Sequence, residues 1–107
     1  MATQNVRQTI ALAADGQIQK YVKTVATTIT KARIMSVQAQ SSAADGSVKI
    51  YNESSSSKTA SKLVFEAKWG INDGDIITFY LPQNGIRCKT AMHAVLSNCD
   101  FLVVTFD

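Results

Sequence analysis

Apolar and polar positions alternate along most of this chain, which predicts strands rather than helices. In residues 32–40, Arg33, Met35, Val37 and Ala39 alternate with Ile34, Ser36, Gln38 and Gln40, a period close to two. After Asp45-Gly46, Val48 and Ile50 alternate with Lys49 and Tyr51. An Asp-Gly step favours the positive φ angles of a tight turn, so these two runs predict a hairpin. Residues 62–69 alternate most cleanly, with Leu63, Phe65, Ala67 and Trp69 on one face, Lys62, Glu66 and Lys68 on the other, and Val64 as the exception. A half-buried strand follows, with Leu63, Phe65 and Trp69 turned to the core.

The remaining runs extend the pattern. Residues 75–81 are rich in apolar side chains (Ile76, Ile77, Phe79, Tyr80, Leu81), as expected of a strand covered on both sides. Pro82, the only proline, has no amide hydrogen for a ladder and should end it. Past the Asn84-Gly85 turn signal, residues 86–90, 92–96 and 101–106 predict a β-meander. The β-branched residues of 21–30 predict one further strand. Residues 9–14 suit either a strand or a turn of helix, because alanine and leucine favour helix but no firm cap precedes them. Residues 52–61, small and polar with four consecutive serines, read as an exposed loop. The fold class that emerges is all-β: a small antiparallel β-sandwich or jelly-roll-like barrel of about seven or eight strands.

A length of 107 residues predicts a single β domain spanning residues 1–107, with residues 1–7 as a flexible or partner-bound N-terminal arm. Within that arm Thr3, Gln4, Asn5, Val6 and Arg7 are the candidate partner-binding residues. Charge changes the picture little. Eleven Lys and Arg face eight Asp and Glu, and the cations are spread from Arg7 to Lys89 while Tyr21, Tyr51 and Trp69 lie far apart. A nucleic-acid binder gathers basic residues on one face with aromatics between them, so this spread argues against that class. The N-terminal residues have neither the basic nor the apolar region of a signal peptide, and no run approaches a membrane span. Synthesis in a cytoplasm is expected, with Cys88 and Cys99 as free thiols.

Candidate chemistry is sparse. Two cysteines at this separation and one histidine match no zinc pattern. His93 has no supporting motif to make it a catalytic base, and Asp73 with Asp75 flank a glycine, which a turn explains. Asn72, Asp73 and Asp75 offer too few oxygens for calcium. Trp69 would suit a sugar platform if exposed, but its register with Leu63 and Phe65 favours core packing. No catalytic, cofactor-binding or metal-binding residues are expected, and no small-molecule substrate.

Several segments resemble a known family. They are Lys31-Ala32-Arg33-Ile34, Gly46-Ser47-Val48-Lys49-Ile50-Tyr51-Asn52, Leu81-Pro82-Gln83-Asn84-Gly85-Ile86-Arg87, Met92-His93-Ala94-Val95-Leu96-Ser97-Asn98 and Phe101-Leu102-Val103-Val104-Thr105-Phe106. Together they are similar to small β-rich virion structural proteins of tailed bacteriophages, over residues 31–107. Members commonly end on Tyr or Gly, whereas this chain ends Phe106-Asp107, and its serine-rich loop is longer. The resemblance implies a non-enzymatic capsid decoration or cement protein that stabilises the outer surface of a phage head. Its partners would be the major capsid protein and copies of itself in a homotrimer, without nucleic acid or membrane. Its location would be the virion, after synthesis in the host cytoplasm. The alternative is a tail, fibre or knob component acting as a carbohydrate- or receptor-binding module.

Overall fold

The computed structural model describes residues 7–70, 76–81 and 85–107. Among these residues the strands are β1 (Arg7–Gln8), β2 (Gly16–Gln17), β3 (Gln19–Val22), β4 (Val25–Thr28), β5 (Ala32–Ser41), β6 (Gly46–Tyr51), β7 (Leu63–Trp69), β8 (Ile76–Tyr80), β9 (Ile86–Cys88), β10 (His93–Ser97) and β11 (Cys99–Phe106). A single 3₁₀ turn, Ala60–Lys62, precedes β7. The fold is all-β and antiparallel, consistent with the sandwich expected. Its strands are more numerous than the expected seven or eight because the run 21–30 is divided between two and the two-residue strands β1 and β2 are added.

One sheet has the order β1-β11-β5-β8, with β9 also on β5, and the second has the order β2-β10-β6-β7. A single apolar cluster lies between them. Ile34, Val37, Ala39, Leu102 and Val104 come from the first sheet, and Val48, Ile50 and Ala94 from the second, all fully buried or nearly so. Fully burying each large aliphatic side chain contributes roughly 1.5–3 kcal/mol, which is what holds the two layers together.

Several local expectations give way to this topology. Strands β5 and β6 are not a hairpin: β5 lies between β11 and β8/β9, and β6 between β10 and β7. The Asp45-Gly46 turn therefore carries the chain from one sheet to the other. Gly46 is needed there because a Cβ would lie 2.3 Å from the indole of Trp69. The predicted C-terminal meander fails for the same reason, since β9 and β11 flank β5 while β10 belongs to the opposite sheet. Successive apolar runs alternate between layers, and a local turn signal does not reveal which layer receives the next run.

The strand predicted for residues 75–81 is β8, an edge strand rather than one covered on both faces. Phe79 packs on the core, whereas Ile76 and Tyr80 are exposed. Along the same edge of β5, β8 faces Ser36–Gln40 and β9 faces Ala32–Ile34. The two are thus one interrupted strand, not the arms of a hairpin around Asn84-Gly85. Gly85 has φ +68° and a Cβ there would lie 2.2 Å from the Ile34 carbonyl oxygen, so the close approach requires glycine. Pro82 and Asn84, like Asn72, Asp73, Gly74 and Asp75, lie outside the described residues.

In β7 the register shifts by one residue where Ile50 faces Phe65 and Tyr51 faces Leu63. Val64 is the extra residue of this bulge, packed against the core, and Leu63 is pushed outward to 37% exposure. Phe65 and Trp69 do face the core, and Phe65 meets Phe79 edge-on at 5.8 Å between ring centroids. Residues 9–12 are extended along β11, through a bond from the Thr9 amide to the Val104 carbonyl and a bridge between Leu12 and Leu102. The helical option there is excluded.

Candidate docking surface

The run 21–30, expected as one strand, is divided between two. Strands β3 and β4 pair only with each other, from Gln19 opposite Thr28 to Val22 opposite Val25. Lys23 and Thr24 form the two-residue turn, both at positive φ (50° and 71°), the type I′ geometry that matches strand twist. The base of this hairpin is anchored by the residues that flank it: Ile18 and Ile29 are buried in the core, and the Ile18 amide bonds to the Met92 carbonyl. The tip stands free. Tyr21 and Val25 are 66% and 63% exposed and Val22 is 45% exposed. Tyr21 pairs with Ala26 on one face and Val22 with Val25 on the other, so apolar side chains are open to solvent on both faces of the tip.

Beside the hairpin lies a groove of about 630 Å³ between β1 and β3, lined by Arg7, Ile10, Lys20, Tyr21, Val22 and Phe106 among others. The Lys20 ammonium sits 5.9 Å from the centre of the Phe106 ring, within range of a cation–π contact. Arg7, Lys20 and Lys31 share the next depression with Asp107, and Lys31, Arg33, Arg87 and Asp107 share the one after it. Arg33 faces Arg87 directly across two strands, an arrangement of like charges that disfavours the pairing. Five of the eleven basic residues are thereby gathered at one end of the molecule. Among the described residues none of the five has a carboxylate within ion-pair distance; the ion pairs found join Glu66 to Lys49 and Lys68 on the other sheet. The cations scattered along the sequence are clustered in space.

Arg7, the last of the predicted partner-binding residues, is exposed in β1 on the rim of this groove. Thr3, Gln4, Asn5 and Val6 lie outside the described residues. The other candidates do not join the site. His93 and Tyr51 face each other on the side of their sheet away from the core, yet both are buried. The His93 Nδ1 is buried without a hydrogen-bond partner. Glu53, also buried, accepts the Thr59 amide at 3.0 Å and the Thr59 hydroxyl at 2.9 Å. The backbone bond from Thr59 chiefly holds the Glu53 carboxyl below its ordinary value, aided more weakly by Lys62 and His93.

Cys88 lies opposite Ala32 and Cys99 opposite Ser41, at the two ends of β5. That separation is roughly 30 Å along an extended strand, far beyond disulfide reach, and both cysteines are free. Burial pushes the Cys88 thiol up to about 11 and also raises Cys99, so neither is an activated nucleophile. Trp69 donates its indole N–H to the Ala43 carbonyl at 3.3 Å and packs against Gly46 and the core rather than presenting a sugar platform. Among the described residues no three His, Cys, Asp or Glu side chains converge to hold a metal, and no helix is long and apolar enough to cross a membrane.

Compared with protein-family models, curated proteins and solved structures, the chain matches none.

Proposed function

We propose that this chain is a non-enzymatic structural module that docks on a larger assembly through the hairpin β3–β4, and that the assembly is a tailed-phage virion, with the module acting as a head decoration or cement protein. The observation that carries the docking role is the anchored hairpin with Tyr21, Val22 and Val25 exposed at its tip. Large apolar side chains on a projecting, internally bonded arm mark a surface that is covered in use. Burying them on a partner would contribute roughly 1.5–3 kcal/mol each. The virion setting rests on the resemblance over residues 31–107, and the hairpin lies outside that stretch.

Cement proteins act by area burial across neighbouring subunits, without a chemical step, and the arm supplies area without disturbing the core. A homotrimer is the assembly this reading implies, since a decoration protein at a three-fold position shares that symmetry. The test is mass spectrometry of purified virions with copy numbers, followed by the double variant Tyr21→Ser, Val25→Ser. Hundreds of copies of the native chain, and loss of the variant from particles despite an unchanged melting temperature, support the proposal. Absence of the chain from virions, or full retention of the variant, overturns it. Light scattering reports the trimer separately: a monodisperse monomer that binds the particle singly removes that part.

A further inference from the structure

We infer that the groove between β1 and β3 accepts an extended acidic segment of another protein, which pairs with the main chain on both sides. This deepens the docking role proposed above and rests on it. The argument starts from backbone direction. The Thr9 amide bonds to Val104 in β11, while the Ile10 amide turns the other way and bonds to the Gln19 carbonyl in β3 at 2.9 Å. Along a strand alternate residues direct their amide and carbonyl groups to the same side, so Gln8 also faces β3. In β3 the two-residue turn closes on Val22 and Val25, which turns Lys20 toward β4 as well. Gln19 and Tyr21 then face β1.

The two strands run antiparallel and meet at Ile10 and Gln19. Beyond that point they part, and no backbone bond joins Gln8 to Tyr21. The groove is therefore bounded by two strand edges with main-chain donors and acceptors aimed across it. Such edges are templates for a further strand.

The lining states the chemistry of the guest. By strand alternation Arg7, Phe106, Lys20 and Val22 share one face of the groove, Ile10 and Tyr21 belong to the other, and no carboxylate lines it. Lys31, Arg33 and Arg87 continue the positive surface from its open end. A strand alternating apolar and acidic side chains would lay the first against Ile10 and Tyr21 and the second toward Arg7 and Lys20. A second copy of this chain fits poorly: none of its described strands carries more than one acidic residue, and Glu66 is already held by Lys49 and Lys68. A copy would also bring the same basic end toward this one.

The test titrates the full-length protein with a fluorescent decapeptide of alternating Glu and Val, with a Gln–Val peptide as control. Amide exchange at Gln8 and Tyr21 is followed in parallel. Saturable binding that protects both amides, weakens with salt, and falls roughly tenfold or more for the Gln–Val peptide and for Lys20→Glu is the expected result. Equal binding of both peptides overturns the inference, as does binding that leaves the two amides unprotected. Tighter binding of a DNA duplex to the same residues would assign the surface to nucleic acid. Self-association that protects the same amides would assign it to a second copy. If the acidic peptide fails to bind while the Tyr21→Ser, Val25→Ser variant is still lost from virions, the groove inference falls and the docking role of the hairpin stands.

Discussion

Two segments leave the sandwich, and they are tied to it differently. The serine-rich stretch from Asn52 to Lys62 is polar and, as expected, exposed over most of its length, but its Glu53 is only 4% exposed. The hairpin from Gln19 to Thr28 is β-branched and apolar, yet its tip projects into solvent. The difference lies in where the backbone finds its partners. In the loop the Asn52 amide bonds to the Lys62 carbonyl, the Asn52 side chain accepts the amides of Thr90 and Ala91, and Glu53 clasps Thr59. Polar side chains, by satisfying main-chain groups that would otherwise need water, fasten the loop to the body. The hairpin satisfies the inward-facing half of its backbone through the β3–β4 ladder, and the bond from the Ile10 amide to Gln19 lies at its base, so its tip is not tied to the sandwich.

Two tyrosines give this contrast its largest test. Tyr51 is 6% exposed at the end of β6, where the loop begins, and Tyr21 is 66% exposed on the arm. Tyr51→Ala should cost about 3 kcal/mol, as large-to-small changes at buried aromatics do. Tyr21→Ala should stay within roughly 0.5 kcal/mol, the range of surface substitutions. Urea unfolding of the two variants measures both. Equal losses would mean that the arm is packed on the body or that Tyr51 is not.

The same contrast shows what could be read from the sequence. Alternation in residues 32–40, 46–51, 62–69 and 101–106 was enough for strands and for an all-β class, because period two survives whatever sheet a strand joins. Pairing was not legible: the Asp45-Gly46 step looks the same in a hairpin as in a crossover, and the deciding fact, Trp69 against Gly46, joins residues distant in sequence. Val64 broke the alternation and did mark the bulge that turns Leu63 outward, though its meaning needed the register with Ile50 and Tyr51. The hairpin was missed because Lys23-Thr24 carries none of the Asn, Asp or Gly that advertise a type I′ turn. The basic end was missed because Arg7, Lys20, Lys31, Arg33 and Arg87 reach it from four different strands and a loop. Of the predicted site residues only Arg7 falls among those described, and it borders the groove.

That unadvertised turn leads to a smaller effect. Thr24 is β-branched and sits at φ 71°, a region that disfavours a side chain with a branch at Cβ. Left-handed backbone costs an L-residue roughly 1–2 kcal/mol, and glycine adopts it without that penalty but loses more chain entropy on ordering. Thr24→Gly should therefore stabilise the hairpin by about 1 kcal/mol net. Slower exchange of the Val22 and Val25 amides would show it, with the exchange of buried β10 unchanged. Faster exchange at the tip would refute the turn assignment.

The smallest effect is local and depends on pH. Glu53 keeps its carboxyl below the ordinary glutamate value of 4.5, chiefly because the ionised form accepts the Thr59 amide. A carboxyl with a depressed folded pKa stabilises the closed loop above its unfolded pKa, and that contribution disappears as pH falls through the folded value. The clasp should therefore be intact at neutral pH and weaken below pH 4.5, while residues 19–28, which contain no acid, provide an internal reference. In amide-exchange protection factors, Thr59 should lose protection toward about pH 3 and Val22 should not. Glu53→Gln removes the titrating charge but keeps an oxygen for the Thr59 amide, so protection at neutral pH should fall partway and lose its acid dependence. Equal protection of Thr59 at neutral and acid pH in the native chain would show that the loop is held by Asn52 and its backbone bond alone.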